Sequence, residues 1–250
     1  MSFPATSMQT FAQYAPWVVF AFAAVVLPVL FFIPAPYGRH ERPGWGPTVP
    51  AKLGWVVMES PSFLLFAALW LQHPQLGSPL VTALGVAWLL HYSQRTFVFS
   101  LLMRDEAKRQ PLMTVLMAIV FNVLNAVGNG VGLVDRPLDA PFFVGLSLFA
   151  AGFVINLHSD HLLRTLRKPG ETGYKIPFGG LYRWISAPNY FGELLEWFGF
   201  AIAAMTPAAW AFAVFTFANL APRAVSNHRW YREKFPDYPA ERRALIPLVW

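Results

Sequence analysis

The sequence contains no cysteine and unusually few charged residues. The absence of cysteine excludes disulfide bonds, thiolate nucleophiles and cysteine-ligated metals. Only 13% of the 250 residues are charged, against about a quarter in a soluble domain, and no charged side chain precedes Arg39. Long apolar blocks take the place of charge. Because a bilayer core needs about 20 consecutive apolar residues per helix, the sequence predicts an integral membrane protein.

Seven apolar blocks predict seven transmembrane helices in one all-α domain that covers residues 1–250. The first block, 17–33, lacks the basic segment and the small-residue cleavage site of a signal peptide, so we interpret it as the first span. The predicted spans are 14–33, 53–71, 79–102, 111–134, 141–163, 186–204 and 207–222.

The basic residues are distributed unevenly between the predicted loops. Seventeen of the nineteen Lys and Arg residues fall in alternate loops, whereas the opposite side has only Arg136 and one further arginine, Arg95, lies within a span. This bias predicts an external N-terminus and a cytosolic C-terminus, and it explains the net charge of +6 without nucleic acid. The basic segments are 34–52, 104–110, 164–183 and 223–250.

Several ionisable residues fall inside predicted spans, where each costs about 2.5–3.5 kcal/mol or more at a helix centre. Asn156 and Asp160 share a helix face because they are four residues apart, as do Asn189 and Glu193. Such faces beside basic loops predict a site for a large anionic ligand from the cytosol. For any one of the ionisable residues, a structural ion pair or hydrogen bond near a helix end is as good an interpretation as a ligand contact. The set is Glu59, His91, Arg95, His158, Asp160, His161, Glu193 and Glu196.

Two short motifs imitate ligand sites. Gly128, Gly130 and Gly132 look like a dinucleotide glycine fingerprint, which requires a strand before it and a helix after it. Here the glycines end a span, so we predict helix packing or a loop start. His158 and His161 lack any accompanying zinc signature, and no metal site is predicted.

Three asparagines, Asn122, Asn125 and Asn129, lie on one face of the fourth predicted span. Buried amides in a membrane helix can hydrogen-bond to neighbouring helices. They can equally contact a bound ligand. The sequence supports both interpretations equally.

The C-terminal hundred residues carry motifs that resemble the steroid 5α-reductase family. The motifs are NLHSD (156–160), LRKPGE (166–171), GYKIP (173–177), GGL (179–181), NYFGE (189–193), EW (196–197), WY (230–231) and the segment 234–247. This part is shared with enoyl-CoA and polyprenol reductases. The N-terminal motifs PYGR (36–39), ESPSF (59–63) and HYSQRT (91–96) are similar to the steroid-type members. The absence of cysteine and the short chain favour a bacterial member.

The resemblance implies an oxidoreductase of the 3-oxo-5α-steroid 4-dehydrogenase type, which reduces the C4–C5 double bond of 3-oxo-Δ4-steroids with NADPH. Residues 1–135 would hold the steroid, with Glu59 and Tyr92 as catalytic residues at its 3-keto oxygen, and 136–250 would hold NADPH. The implied partners are the steroid and the bilayer, without nucleic acid or metal, and a monomer is consistent with this. The implied cofactor residues are Arg39, Arg95, Asn156, Asp160, Arg167, Tyr174, Lys175, Asn189, Glu193, Arg223 and Tyr231.

Two positions depart from the family pattern. Met58 stands where the human-type pattern has Gln, which weakens any second polar group beside Glu59. Asn227 stands within a reduced histidine run, so a histidine contact at this position cannot be transferred.

The expected chemistry is consistent with the two catalytic residues. Hydride delivery to C5 of an enone builds negative charge on the C3 oxygen, which requires hydrogen-bond donors in a water-poor pocket. Tyr92 can donate, and Glu59 can donate only when it is neutral, which an apolar span favours. The proton at C4 would come from solvent or from Tyr92.

Three other functions stay open at this point. An NADPH-dependent reductase of an enoyl lipid or polyprenol would use the same cofactor residues. A membrane methyltransferase of the isoprenylcysteine type would bind S-adenosylmethionine, which has no phosphates. A transporter would use Asp160 and Glu193 as a proton relay. The expected location is the inner membrane of a bacterium or the endoplasmic reticulum of a eukaryote.

Overall fold

The computed structural model describes residues 5–36, 38–103, 108–168, 171 and 173–250. Eight residues of the predicted motifs and basic segments therefore lie outside the described part. They are Tyr37, Arg104, Asp105, Glu106, Ala107, Pro169, Gly170 and Thr172.

The described chain forms helices joined by short connections. One long helical rod runs from Pro79–Ser93 through a π-helical turn, Gln94–Val98, into Phe99–Leu101. Short 3₁₀ turns lie at Gly38–His40 and Gly180–Arg183. The helices are α1 Ala5–Phe32, α2 Ala51–Leu71, α3 Pro79–Ser93, α4 Phe99–Leu101, α5 Leu112–Gly132, α6 Ala140–Thr165, α7 Pro188–Ala204 and α8 Pro207–Lys234.

Five of the described helices, α1, α2, α5, α6 and α8, are long and apolar enough to cross a membrane. The α3–α4 rod and α7 occupy the other two predicted spans, 79–102 and 186–204, but α3 alone has 15 residues and α7 has 17. The predicted mostly helical, membrane-type fold is therefore confirmed. α8 continues twelve residues beyond the predicted end of the last span at residue 222.

One small element departs from the predicted all-α fold. Strand β1, Thr48–Pro50, pairs antiparallel with strand β2, Arg109–Pro111. Each strand immediately precedes a helix, α2 or α5. The ladder thus ties together the starting ends of these two helices, which no apolar periodicity in the sequence indicated.

Local chemistry determines where several helices begin and end. Ser78, Asp139 and Thr206 cap α3, α6 and α8 by accepting a hydrogen bond from the backbone N–H three residues ahead. A proline in the first turn of each helix favours the same start. α7 ends at Met205, whose φ of 54° is left-handed, and α8 starts two residues later.

Helices α6 and α7 form the most extensive helix pair, and glycines allow their close approach. Gly145 and Gly152 on α6 face Gly199 and Gly192 on α7. A Cβ atom added at Gly152 would lie 2.5 Å from the carbonyl oxygen of Gly192, and one at Gly145 would lie 2.4 Å from that of Gly199. The two backbones are therefore in direct contact, and the polar ends of both helices lie side by side.

An aromatic core fills the middle of the bundle. Trp88 is fully buried and stacks on Phe66 with ring centroids 4.5 Å apart. Its ring also contacts Tyr92, Trp197 and Phe212. Because Trp88 lies one turn before Tyr92 on α3, this packing fixes the tyrosine at the edge of the core.

Candidate functional site

A cavity of about 1000 Å³ opens where the predicted basic segments meet the helix ends. Its walls carry nine Lys and Arg side chains and two carboxylates, those of Asp160 and Glu171. This excess of positive charge suits a ligand with several negative charges. The basic residues are Arg39, Lys52, Arg95, Lys108, Arg109, Arg164, Arg167, Lys168 and Arg223.

The β1–β2 ladder brings part of this charge to the rim of the cavity. Arg109 donates from Nε to the Thr48 hydroxyl at 2.8 Å and from a terminal nitrogen to the Thr48 carbonyl at 2.7 Å. Lys52 and Lys108 flank the same ladder and also line the cavity. These three basic residues were not among the predicted site residues, because nothing in their spacing indicates the strand pairing.

Arg95 enters the cavity from the π-helical turn of the α3–α4 rod. An isolated π-helical turn is frequent at functional sites. The guanidinium lies over Trp55, 4.5 Å from the ring centroid, and over Phe99 at 4.8 Å. It also lies 4.0 Å from Oδ2 of Asp160. Two aromatic rings thus hold one arginine beside the carboxylate of α6.

Amide groups link α6 to the start of α7. Asn156 donates to the backbone carbonyl of Asn189 at 3.0 Å, and the Asn189 amide donates to Oδ1 of Asp160 at 3.0 Å. The other oxygen, Oδ2, is buried and accepts no hydrogen bond from the described residues. The structure therefore brings together three of the predicted cofactor residues and leaves one acceptor available at the cavity wall.

Arg39 lies in an aromatic cage between the α1–α2 connection and the end of α8. Its guanidinium is 4.5 Å from the ring centroid of Tyr231, 5.0 Å from that of Trp230 and 5.5 Å from that of Tyr174. One terminal nitrogen is buried and makes no hydrogen bond within the described residues. The cage therefore presents a planar cation to the cavity.

His40 also lines the cavity, although it was not among the predicted site residues. Its Nε2 lies 3.1 Å from the amide oxygen of Asn227, the residue at which no histidine contact could be transferred. Burial lowers the pKa of His40, and the neighbouring charges of Arg39, Arg223 and Arg42 lower it further, while the Asn227 hydrogen bond opposes this. A neutral imidazole thus faces a strongly basic wall.

The remaining predicted cofactor residues differ in whether they line the cavity. Arg223 donates to the Tyr190 hydroxyl at 3.1 Å and Arg167 to the Gly173 carbonyl at 3.1 Å, and both line the cavity. Lys175 instead pairs with Glu171 and does not line the cavity. The predicted residues that line it are Arg39, Arg95, Asp160, Arg167, Tyr174, Asn189, Arg223 and Tyr231.

Glu59 and Tyr92 lie beyond the cavity wall, deeper in the bundle. They are close enough for the charge of Glu59 to act on Tyr92, and both also interact electrostatically with Glu193. Arg95, which lines the cavity, interacts electrostatically with Glu59 and Glu193. The structure thus brings the two predicted catalytic residues together and connects them to the cavity through Arg95 and Glu193.

The other ionisable residues of the spans take structural positions. The imidazole Nδ1 of His91 lies 2.6 Å from a carboxylate oxygen of Glu196, and both side chains are buried. This pair joins α3 to α7. Within the described residues, no group of three or more His, Cys, Asp or Glu residues could hold a metal, so His158 and His161 stand apart from any such cluster.

The glycine motif of α5 packs against neighbouring helices. A Cβ atom added at Gly128 would contact Ala208 of α8, and one at Gly130 would contact Leu69 of α2. Asn129 donates to the carbonyls of Asn125 and Ala208. Helix packing is therefore the confirmed interpretation of this motif.

The sequence profile of the 3-oxo-5-alpha-steroid 4-dehydrogenase family matches residues 108–250, which is more than half of the chain. The chain belongs to this family. It is 43% identical to 3-oxo-5-alpha-steroid 4-dehydrogenase 1 of Macaca fascicularis, covering 85% of this chain and 84% of that protein. It is 42% identical to the Homo sapiens protein of the same name, over 85% of each chain.

A plant member of the 3-oxo-5-alpha-steroid 4-dehydrogenase family is matched over nearly the whole length. Steroid 5-alpha-reductase DET2 of Gossypium hirsutum is 38% identical over 256 residues, covering 98% of this chain and 99% of that protein. The match therefore includes the N-terminal half that precedes residue 108. The predicted family, and with it an oxidoreductase of the 3-oxo-5α-steroid 4-dehydrogenase type, is confirmed.

Proposed function

We propose that this protein reduces the C4–C5 double bond of a 3-oxo-Δ4-steroid to the 5α-dihydrosteroid, with NADPH as the reductant. The observation that carries the proposal is the basic cavity, connected through the electrostatic interactions of Arg95 to the half-buried Glu59 beside the buried Tyr92. Its family membership supports the same reaction.

The residues of the cavity fit NADPH by their chemistry. Phosphate groups suit arginine and lysine, and Arg167 and Arg223 would provide these contacts. Among the described residues, the buried guanidinium nitrogen of Arg39 has no acceptor and Oδ2 of Asp160 has no hydrogen-bond donor. Both needs would be met by a ligand with phosphate oxygens and hydroxyl or amide groups. The further proposed contacts are Arg95, Asn156, Tyr174, Lys175, Asn189, Glu193 and Tyr231.

The chemistry of the proposed reaction concerns the C3 oxygen of the steroid. When bound, NADPH supplies the hydride that is delivered to C5. Tyr92 and a neutral Glu59 would donate hydrogen bonds to the C3 oxygen as it gains negative charge. Preorganised donors in a site without water stabilise such charge by several kcal/mol, about 2.7–4 kcal/mol for one donor. The proton at C4 comes from solvent or from Tyr92.

The proposed membrane arrangement has seven spans, with the α3–α4 rod and α7 crossing the bilayer beside the five long helices. The N-terminus is outside and the C-terminus is cytosolic, because the basic segments that line the cavity lie at one end of the bundle. Residues 1–135 supply the steroid half and 136–250 the cofactor half. The steroid enters from the lipid, in a bacterial inner membrane or the endoplasmic reticulum.

Substrate-dependent oxidation of NADPH tests the function. The purified protein in lipid nanodiscs, with NADPH and a panel of 3-oxo-Δ4-steroids, should lose absorbance at the NADPH band and yield 5α-dihydrosteroids by mass spectrometry. Turnover of enoyl lipids or polyprenols alone would replace the proposed substrate. Affinity for S-adenosylmethionine without affinity for NADPH would overturn the reductase itself.

Single cysteines test the orientation, since the chain has none of its own. Gly77→Cys, in the exposed connection before α3, should react with a membrane-impermeant maleimide from the external side. Glu241→Cys, in the exposed tail, should react only after the membrane is opened. The reverse labelling would overturn the proposed orientation.

A further inference from the structure

Asn122 is a buried amide on α5 that contacts α2 at the position of Glu59. Its side chain is 4% exposed. The amide nitrogen donates to the backbone carbonyl of Met58 at 2.5 Å and to Oε2 of Glu59 at 3.3 Å. Met58 itself offers no polar side chain beside Glu59. Among the described residues, Asn122 makes the hydrogen bond that the structure gives to the Glu59 carboxyl.

The identity of the bonded oxygen determines what Glu59 can do. A neutral carboxyl group has one carbonyl oxygen, which accepts hydrogen bonds, and one hydroxyl oxygen, which donates. An amide N–H at Oε2 favours the form in which Oε2 is the carbonyl oxygen. The proton then resides on Oε1, which is free to donate elsewhere.

The charges around Glu59 make this orientation necessary. Arg95 and His91 act on Glu59 with positive charge and Glu193 with negative charge. Because Glu59 is half-buried, solvent screens these interactions less than it would at an exposed position. Without a fixed hydrogen bond, the carboxyl group could turn its proton towards Glu193 and away from the cavity side.

We propose that Asn122 is a positioning residue that holds Oε2 of Glu59, so that the Oε1–H group faces the carbonyl oxygen of the substrate. The inference rests on the proposed function of Glu59 as a neutral donor. Asn122 acts through Glu59 and does not itself contact the reacting atoms. The backbone bond to Met58 fixes the amide, and the amide in turn fixes the carboxyl group.

Steady-state kinetics of Asn122→Leu test the proposal. This variant keeps a similar volume but removes the donor, and kcat should fall about ten-fold, the value of one hydrogen bond, with the KM for NADPH unchanged. Thr216→Val is the matched control, because it removes a buried donor to the Phe212 carbonyl on α8. It should leave kcat unchanged. If the leucine variant is not recovered folded, Asn122→Ala adds no bulk and carries the same expectation.

A double-mutant cycle separates positioning from general packing. In a Glu59→Leu background, Asn122→Leu should cause no further loss of kcat, because the carboxyl group through which Asn122 acts is already absent. Independent, additive losses in the two variants would overturn the proposal. An inactive wild-type protein would instead contradict the proposed function, so the two failures are distinguishable.

Infrared spectroscopy tests the proposal without turnover. The wild-type protein should show a protonated carboxyl C=O band that disappears in Glu59→Gln. In Asn122→Leu the same band should move to higher frequency, since the carbonyl oxygen loses its hydrogen bond. Absence of the band in the wild-type protein, or an unshifted band in the variant, would overturn the assignment of the proton to Oε1.

Discussion

The basic cavity and the aromatic core differ in how they use polar groups. The cavity carries nine basic side chains around about 1000 Å³, whereas the core around Trp88 is apolar and has isolated polar groups, including Tyr92, at its edge. Many charges can share the recognition of one polyanion, so each contributes a part. In contrast, Glu59 and Tyr92 would donate to a single substrate oxygen, and neither could make the hydrogen bond of the other. We therefore expect substitutions in the cavity to change affinity and substitutions beside the core to change turnover.

The largest predicted effect tests the core side of this comparison. Glu59→Leu and Tyr92→Phe should each lower kcat by about 100-fold to 1000-fold, the usual loss of one oxyanion-stabilising donor. NADPH affinity, measured by fluorescence titration, should stay at the wild-type value because neither side chain lines the cavity. Loss of NADPH binding in either variant would contradict the division between the two regions.

The next effect tests the cavity side. Arg223→Met should raise the Kd for NADPH about 10-fold to 100-fold, because a hydrogen bond to a charged group contributes about 1.5–3 kcal/mol, while kcat at saturation changes little. Arg183→Met is the control for loss of a basic residue. Since Arg183 lies over the ring of Trp184 and does not line the cavity, its substitution should change the Kd much less. Equal effects in both variants would favour non-specific attraction.

Arg95 should affect both affinity and turnover, because it lines the cavity and also interacts electrostatically with Glu59. Arg95→Lys keeps the charge but loses the planar group that lies over Trp55 and Phe99. We expect a moderate increase of the Kd for NADPH together with a moderate decrease of kcat, each within about ten-fold. A change confined to one of the two constants would assign Arg95 to a single region.

The smallest predicted effect is a pH dependence from His40. The pKa of this imidazole is lowered from its usual value of 6.5 in the free protein, and a bound anion favours its protonated form. NADPH binding should therefore take up protons, and affinity should increase a few-fold as the pH falls from about 7 towards 5.

His40→Gln is the control for that experiment, because the 2′-phosphate of NADPH also titrates near pH 6. The part of the pH dependence that disappears in the variant belongs to His40. An identical pH profile in both proteins would show that His40 does not respond to the ligand.

The sequence predicted the positions of the long helices well, because apolar length and terminal prolines determine them locally. Blocks such as 79–102 correspond closely to a continuous rod in the structure. The π-helical turn at Gln94–Val98 was not predictable, since it depends on how Arg95 packs against α2 and α6. The β1–β2 ladder was missed for a similar reason, because two three-residue strands leave no periodic signal.

Some residues of the candidate site could be predicted because polar and ionisable side chains cost free energy inside a membrane span. Asp160, Asn189 and Glu193 were identifiable because few other polar groups compete with them in the spans. His91 and Glu196 were visible as ionisable residues, but their pairing across α3 and α7 depends on tertiary packing. Basic residues at the rim, such as Arg109, could not be distinguished from ordinary loop charges that determine topology.

The contact between α6 and α7 has a consequence for the accuracy of the site. At Gly152 and Gly192 no rotatable side chain separates the two backbones, so covalent geometry and atomic radii determine their spacing. Side-chain rotamer changes and variation in lateral lipid pressure have little means to alter it. Asp160 lies about two helical turns from Gly152 on α6, and Asn189 lies about one turn from Gly192 on α7. The fixed spacing of the two backbones therefore also fixes the relative positions of these two site residues.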